Sequence, residues 1–169
     1  MILAALDVDY RPRAGGAEEA VAAAVLFDAW DAAAPTAEQV THVADVAPYE
    51  PGRFFARELP PLLAVLRLAG AVDLVLVDGY AWLGPDRPGL GAHLHDALGG
   101  RTPVVGVAKR PFRGAPAVEV LRGQSARPLY VTAAGVEAAT AAAGIRAMHG
   151  AHRVPTLLQR VDRLCRDSR

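Results

Sequence analysis

Cysteine and lysine are almost absent: Cys165 and Lys109 stand alone, against 17 arginines. A single cysteine excludes a disulfide framework and a thiolate metal cluster. No apolar run approaches the roughly 20 residues of a membrane helix. An acid at position 7 is out of keeping with a secretory leader, so a cytoplasmic protein with no membrane partner is expected. Aromatics make up only 6% of the chain, but hydrophobic residues make up 52%, which excludes a disordered chain. The length suits one domain, residues 1–169, with a sizeable core.

Net charge is also missing: 18 basic residues balance 18 acidic ones. The balance hides a division. Residues 1–100 hold 6 basic and 14 acidic residues, and residues 101–169 hold 12 basic and 4 acidic. The halves therefore carry −8 and +8. Such a chain can combine an acidic centre with a basic, phosphate-binding rim; pairing across a solvated surface is the plainer alternative. A lysine kept just after the apolar run PVVGVA, in so arginine-rich a chain, suggests a need for a compact point charge; chance survival on the surface is the plainer alternative.

Hydrophobic patterning predicts strands over residues 2–9, 19–27 and 38–46, with turn signals at Gly15, Gly16 and Pro35 between them. The segment AVAAAV also suits a helix. A helix is predicted from about Arg53 to Leu68, with Pro60 and Pro61 implying a kink or a late start. A central strand DLVLV, a helix near 88–98, the strand PVVGVA, a strand pair from AVEVLR and PLYVTA, and helices over 133–148 and 155–166 complete the order. This is α/β, a mixed sheet flanked by helices with its hairpin part first, and it fits a ribonuclease H-like architecture. In such a fold the first strand lies beside a later central one, and their ends meet where open α/β sheets place their sites.

Asp7 ends the run ILAALD, Asp78 ends DLVLVD, and Glu58 lies in the helical stretch FFARELPPLL. A carboxylate at the end of a buried strand is costly without a partner. Three that converge repel one another and call for a cation, and hard oxygen ligands suit Mg²⁺ or Mn²⁺. Singly, each acid reads as well as a surface or helix-start carboxylate. Asp9 shares a strand face with Asp7, although an exposed strand-end acid is its simpler reading.

The strings LDVDY, APYEPGRFFARELPPLL, LVLVDGY, GLGAHL, VVGVAK and RPLYVTAAG occur in an order that resembles the endonuclease V family over nearly the whole chain. The resemblance implies a Mg²⁺-dependent nuclease, with Mn²⁺ able to substitute, that cuts DNA or RNA near inosine. It implies that Asp7, Glu58 and Asp78 hold the metal. Lys109 matches the lysine facing the scissile phosphate, and Asp162 matches an assisting position on the last helix. It likens Pro48, Tyr49, Pro51 and Gly52 to the wedge that enters nucleic acid beside the lesion, and Gly79 to the backbone of the base pocket. A monomer is expected.

Several residues depart from the family pattern. Glu50 puts a carboxylate at the wedge tip, where phosphates would repel it. Tyr80, Ala81 and Gly84 replace a histidine, a glycine and a histidine, and Val136 replaces a histidine. The Ala81 methyl and the Trp82 ring would narrow or reshape the base pocket; Trp82 packing against the surface of the loop is the equally weighted alternative. The frame is compact. A family member that binds nucleic acid with little lesion-specific cutting, or one that cuts at another lesion, stays open as an alternative.

Overall fold

The computed structural model describes all residues, Met1–Arg169. Nine strands and four α-helices follow in the order β1 (Leu3–Pro12), β2 (Glu18–Phe27), β3 (Ala37–Val43), α1 (Phe54–Ala69), β4 (Leu74–Asp78), β5 (Trp82–Gly84), β6 (Arg87–Pro88), α2 (Leu90–Ala97), β7 (Val104–Ala108), β8 (Val118–Val120), β9 (Leu129–Ala134), α3 (Ala138–Ala147) and α4 (Thr156–Asp167). Seven strands form one sheet in the order β3-β2-β1-β4-β7-β9-β8, and β5 and β6 pair separately. β1 runs antiparallel to β2 but parallel to β4, and β4 runs parallel to β7. No helix is long and apolar enough to cross a membrane.

Alternation along the strands produces two cores. Leu3 and Ala5 of β1, Leu74 and Leu76 of β4 and Val105 and Val107 of β7 pack with Ile145 of α3 and Leu157, Val161 and Cys165 of α4. Ala4, Leu6, Val75, Val77 and Val104 point the other way, onto Leu62, Val65 and Leu66 of α1 and Leu90 and Leu94 of α2. A sheet covered on both faces explains the continuous apolar runs. AVAAAV is strand, not helix: its alanines are fully buried and β2 pairs with both β1 and β3.

The helix expected from about Arg53 to Leu68 is α1, Phe54–Ala69, while the start of α3 and the β5–β6 hairpin depart from the sequence expectation. α1 starts at Phe54 and runs on through Pro60 and Pro61, so the prolines impose no late start. Pro61 is itself buried against the core, and packing outweighs the two lost backbone donors. α3 starts at Ala138 because β9 continues to Ala134 and Gly135, at φ +80°, turns the chain. The β5–β6 hairpin is too short to leave a period-2 signal in sequence.

Candidate active site

The register of β1 on β4 pairs Leu6 with Val77, so Asp7 and Asp78 are the next residues along two adjacent parallel strands. The strand alternation that sends Leu3, Ala5, Leu74 and Leu76 towards α4 carries both acids to that side. Lys109 follows the end of β7, the next strand along. Leu6, Val107, Leu158 and Val161 form an apolar floor beneath Asp7, Asp78 and Lys109. Asp162 comes from α4 above, and Glu58 comes from α1 across the sheet end. Asp7, Asp9, Glu58, Asp78, Lys109 and Asp162 line one cleft of about 380 Å³, together with Gly79 and Phe54.

Long-range ties hold the walls. The Arg11 guanidinium donates to the carbonyls of Cys165 (2.8 Å) and Arg166 (2.6 Å), fastening β1 to the C-terminal turn of α4. Arg57, next to Glu58, pairs with Glu18 at 2.8 Å and lies 4.0 Å over the Tyr10 ring. Tyr10 and the two arginines were not singled out from sequence, because their partners lie far along the chain.

The electrostatics are those of a site with surplus negative charge. Burial pushes the Asp7 carboxyl up to about 7, opposed by the Val8 N–H that donates to it and reinforced by Asp78 and Asp162. Burial likewise pushes Glu58 up to about 8, with Asp7 and Asp78 adding to it. Burial and Glu58 together raise the Tyr10 phenol, whose hydroxyl is buried without a hydrogen-bond partner. Burial opposes the Lys109 charge, but Asp78 more than offsets it and holds the ammonium above its ordinary range. Lys109 Nζ donates to Asp78 Oδ2 at 2.9 Å.

A divalent cation would suit this donor set. Every candidate ligand is a hard carboxylate oxygen. Burial pushes the nearby Cys165 thiol up to about 12, so it stays protonated and offers no thiolate. Half-buried Asp7 and Glu58, with the more exposed Asp78 adding to their repulsion, would be relieved by a bound cation. No three acidic, histidine or cysteine side chains, however, are drawn together tightly enough to hold an ion as they stand. Asp78 is turned towards Lys109, and Asp7 accepts the N–H of its own neighbour.

A second cavity, about 590 Å³, opens beside the cleft and shares Phe54, Asp78 and Gly79 with it. Phe55, Tyr80, His93 and Phe112 supply aromatic walls, and Gly52 and Gly79 supply bare backbone. Phe55 and His93 are stacked, with ring centroids 3.7 Å apart. Pro48, Tyr49 and Pro51 do not line it. They lie in the exposed segment leading to Gly52, with Tyr49 61% exposed.

The expectation that Ala81 and Trp82 narrow this cavity is corrected. Ala81 is fully buried and packs with Ala92 and Ala134, with Trp82 against them, away from the opening. Its N–H donates to Thr132 Oγ1 at 2.7 Å. The Gly79–Ala81 turn is held by glycines that sequence reading passed over. A Cβ on Gly106 would stand 2.5 Å from Ala81 N and 2.6 Å from Gly79 O, and one on Gly89 would stand 2.5 Å from Tyr80 O. Of the other histidines, His95 bonds to the Thr102 carbonyl and His149 to Thr156 Oγ1.

Comparison with known proteins gives a consistent result. The sequence profile of the Endonuclease V family matches residues 1–154. Endonuclease V of Streptomyces avermitilis is 37% identical over an alignment covering 86% of this chain and 72% of that protein. Endonuclease V of Methanopyrus kandleri is 38% identical, covering 75% of this chain and 52% of that one. The crystal structure of the Streptomyces avermitilis protein superposes with a TM-score of 0.79 at 31% identity, covering 99% of this chain and 80% of that chain. Ciona intestinalis Endonuclease V, in complex with a 24mer DNA containing an inosine followed by a ribo-adenosine, shares the fold with a TM-score of 0.83 at 20% identity, covering 98% of this chain and 84% of that chain.

Proposed function

The chain belongs to the endonuclease V family, and on that footing we propose that it is a divalent-metal-dependent endonuclease that hydrolyses a phosphodiester near inosine in nucleic acid. The observation that carries this reading is the shared wall: Asp78, Gly79 and Phe54 border both the acidic cleft and the aromatic cavity. A base held in the cavity sets its own backbone beside the acids. Flat aromatic walls and side-chain-free glycine backbone suit an unstacked purine. The Ciona relative's complex with inosine-containing DNA supports this substrate class.

Asp7, Glu58 and Asp78 are the residues that would hold Mg²⁺ or Mn²⁺. When bound, the ion supplies Lewis acidity and a water made acidic enough to attack at neutral pH. Lys109 brings a fixed positive charge to phosphate oxygens that gain charge in the transition state. Asp162 faces the cleft from α4 and orients polar groups that enter it. Gly52 and Gly79 contact the base, while Pro48 and Pro51 stiffen the segment that presents Tyr49 for stacking. Repair or processing of deaminated nucleic acid is the biological role proposed.

The test is a cleavage assay on labelled single- and double-stranded DNA and RNA, with and without inosine, in Mg²⁺, Mn²⁺ or EDTA. Inosine-dependent cutting that EDTA abolishes is the expected result. Cutting that ignores inosine, or that persists in EDTA, contradicts it. A second reading, binding with little catalysis, is favoured by the acids not being drawn into a ready ligand set. It predicts retained affinity for inosine oligonucleotides with no cutting in either metal.

A further inference from the structure

Lys109 lies one residue beyond the last β7–β9 pair, Ala108 with Tyr130, and opens an irregular stretch that reaches Ala117. Nothing in the ladder fixes it there. A lysine on a flexible four-carbon stem delivers its charge to one place only if its backbone is held. Arg153 supplies that hold. Its Nη2 donates to the carbonyl of Lys109 and, at 2.7 Å, to that of Pro128, the residue just before β9. One guanidinium thus clips the open end of an antiparallel strand pair and sets where Lys109 leaves it.

Arg153 is itself fastened by a second arginine. Arg122, 7% exposed, donates to the carbonyls of Met148, Gly150 (3.1 Å), His152 (2.8 Å) and Arg153 (3.4 Å). These carbonyls belong to the turn that carries Arg153. Gly123 lets the turn close onto the strand end, because a Cβ there would stand 2.3 Å from Ala151 O. Neither arginine has a carboxylate partner, and the Nε of each is buried without a hydrogen bond. A buried cation such as Arg122, satisfied only by carbonyls, is costly, and the half-buried Arg153 beside it adds a second.

We infer that Arg122 and Arg153 form a relay that positions Lys109 for phosphate chemistry, with Arg153 as the positioning residue in contact with the lysine backbone. The inference rests on the nuclease reading for its catalytic consequence, but not for its structural one. The guanidinium matters because the two protons of its Nη2 are fixed in one plane and reach two carbonyls on different strands at once, whereas a lysine ammonium rotates about its bond on a flexible stem and fixes neither direction. Small displacements of a catalytic group are expensive in rate, on the order of 100-fold for 1 Å.

The test exploits the single lysine. Protein labelled with ¹³C-lysine gives one set of side-chain signals, all from Lys109. In the wild type the two Hε protons are expected to resolve, as they do for an ordered, paired ammonium. In Arg153→Lys the label is placed on both lysines, so Arg153→Gln is the variant used for this readout, with unfolding midpoints confirming that it folds. Collapse of the Hε pair to one averaged signal supports the relay, and an unchanged pair overturns it. For activity, Arg153→Lys is expected to lower kcat about tenfold with KM within twofold, and to add less than twofold in a Lys109→Ala background. An equal loss in both backgrounds overturns the relay, because Arg153 would then act independently of the lysine. If Arg153→Gln does not fold, the same cycle with Arg153→Lys decides. If the wild type cuts no oligonucleotide, the nuclease reading fails by itself, and the Hε signals of Arg153→Gln alone decide the relay.

Discussion

Lys109 Nζ donates a 2.9 Å hydrogen bond to Asp78 Oδ2, joining the residue after β7 to the last residue of the neighbouring parallel strand β4. Both side chains are roughly half exposed, 43% and 47%, so the pair adds little stability. Its meaning is positional. It keeps the only lysine of the chain over the acid cleft, close to where a phosphate would meet a metal.

Lys109→Ala is therefore expected to lower kcat by about 100-fold, while KM changes only a few-fold, as for loss of a group that stabilises developing charge. Lys109→Arg should restore little, because a planar fork does not replace a compact charge. Steady-state kinetics on an inosine oligonucleotide check both. An unchanged kcat in Lys109→Ala would remove the lysine from the chemistry.

The raised carboxyls of Asp7 and Glu58 give a pH dependence with a definite sign. Between about pH 4 and their folded values, about 7 and about 8, the folded protein binds more protons than the unfolded chain. The contribution of these two acids to stability therefore falls as pH rises through that window and levels off above it. In EDTA the unfolding midpoint should drop by on the order of 10 °C from pH 5 to pH 8.5. Mn²⁺ should raise it more at pH 8.5 than at pH 5, where protons compete for the same oxygens. Thermal scans in the two buffers decide. A midpoint that rises over the same window would show that the acids are not buried together.

Tyr49 and Glu50 should act in opposite directions on binding. Tyr49→Ala is expected to weaken binding of an inosine oligonucleotide by about 1–3 kcal/mol, the value of one stacked base. Glu50, paired only with exposed Arg53 at 3.4 Å, would repel approaching phosphates if this segment meets nucleic acid, so Glu50→Gln should tighten binding a few-fold at low salt and lose that gain at high salt. Fluorescence anisotropy at two salt concentrations checks this.

Much of this arrangement was legible in the sequence, for particular reasons. Asp7 and Asp78 announced themselves because an acid ending a buried apolar run is rare and costly, and parallel pairing of those runs brings them together. Lys109 stood out by the scarcity of its type. The long-range ties did not show. Arg153 reaches Lys109 across 44 residues of chain and Arg11 reaches Cys165 across 154, with no periodicity to mark either. The expectation for Ala81 fails because a residue beside a pocket glycine need not face the pocket: the turn sends its methyl into the core.

That turn yields a prediction from sterics alone. Gly106 lies in the buried middle of β7, where a Cβ would stand 2.5 Å from Ala81 N and 2.6 Å from Gly79 O. Gly106→Ala should cost about 1–3 kcal/mol of stability, as overpacking does. It should also displace Gly79 and so weaken inosine binding more than binding of an undamaged strand. Chemical denaturation together with paired affinity measurements checks it. Equal loss on both strands would detach Gly79 from base recognition.

The central claim is that residues 7, 58 and 78 serve one divalent ion. Anomalous diffraction at the manganese edge, from crystals grown with Mn²⁺, tests it most directly. The account predicts a peak within coordinating reach of the Asp7 and Asp78 carboxylates on the side facing Glu58, and no such peak in Asp78→Ala crystals. Manganese bound only elsewhere, or an empty cleft at saturating Mn²⁺, would contradict it.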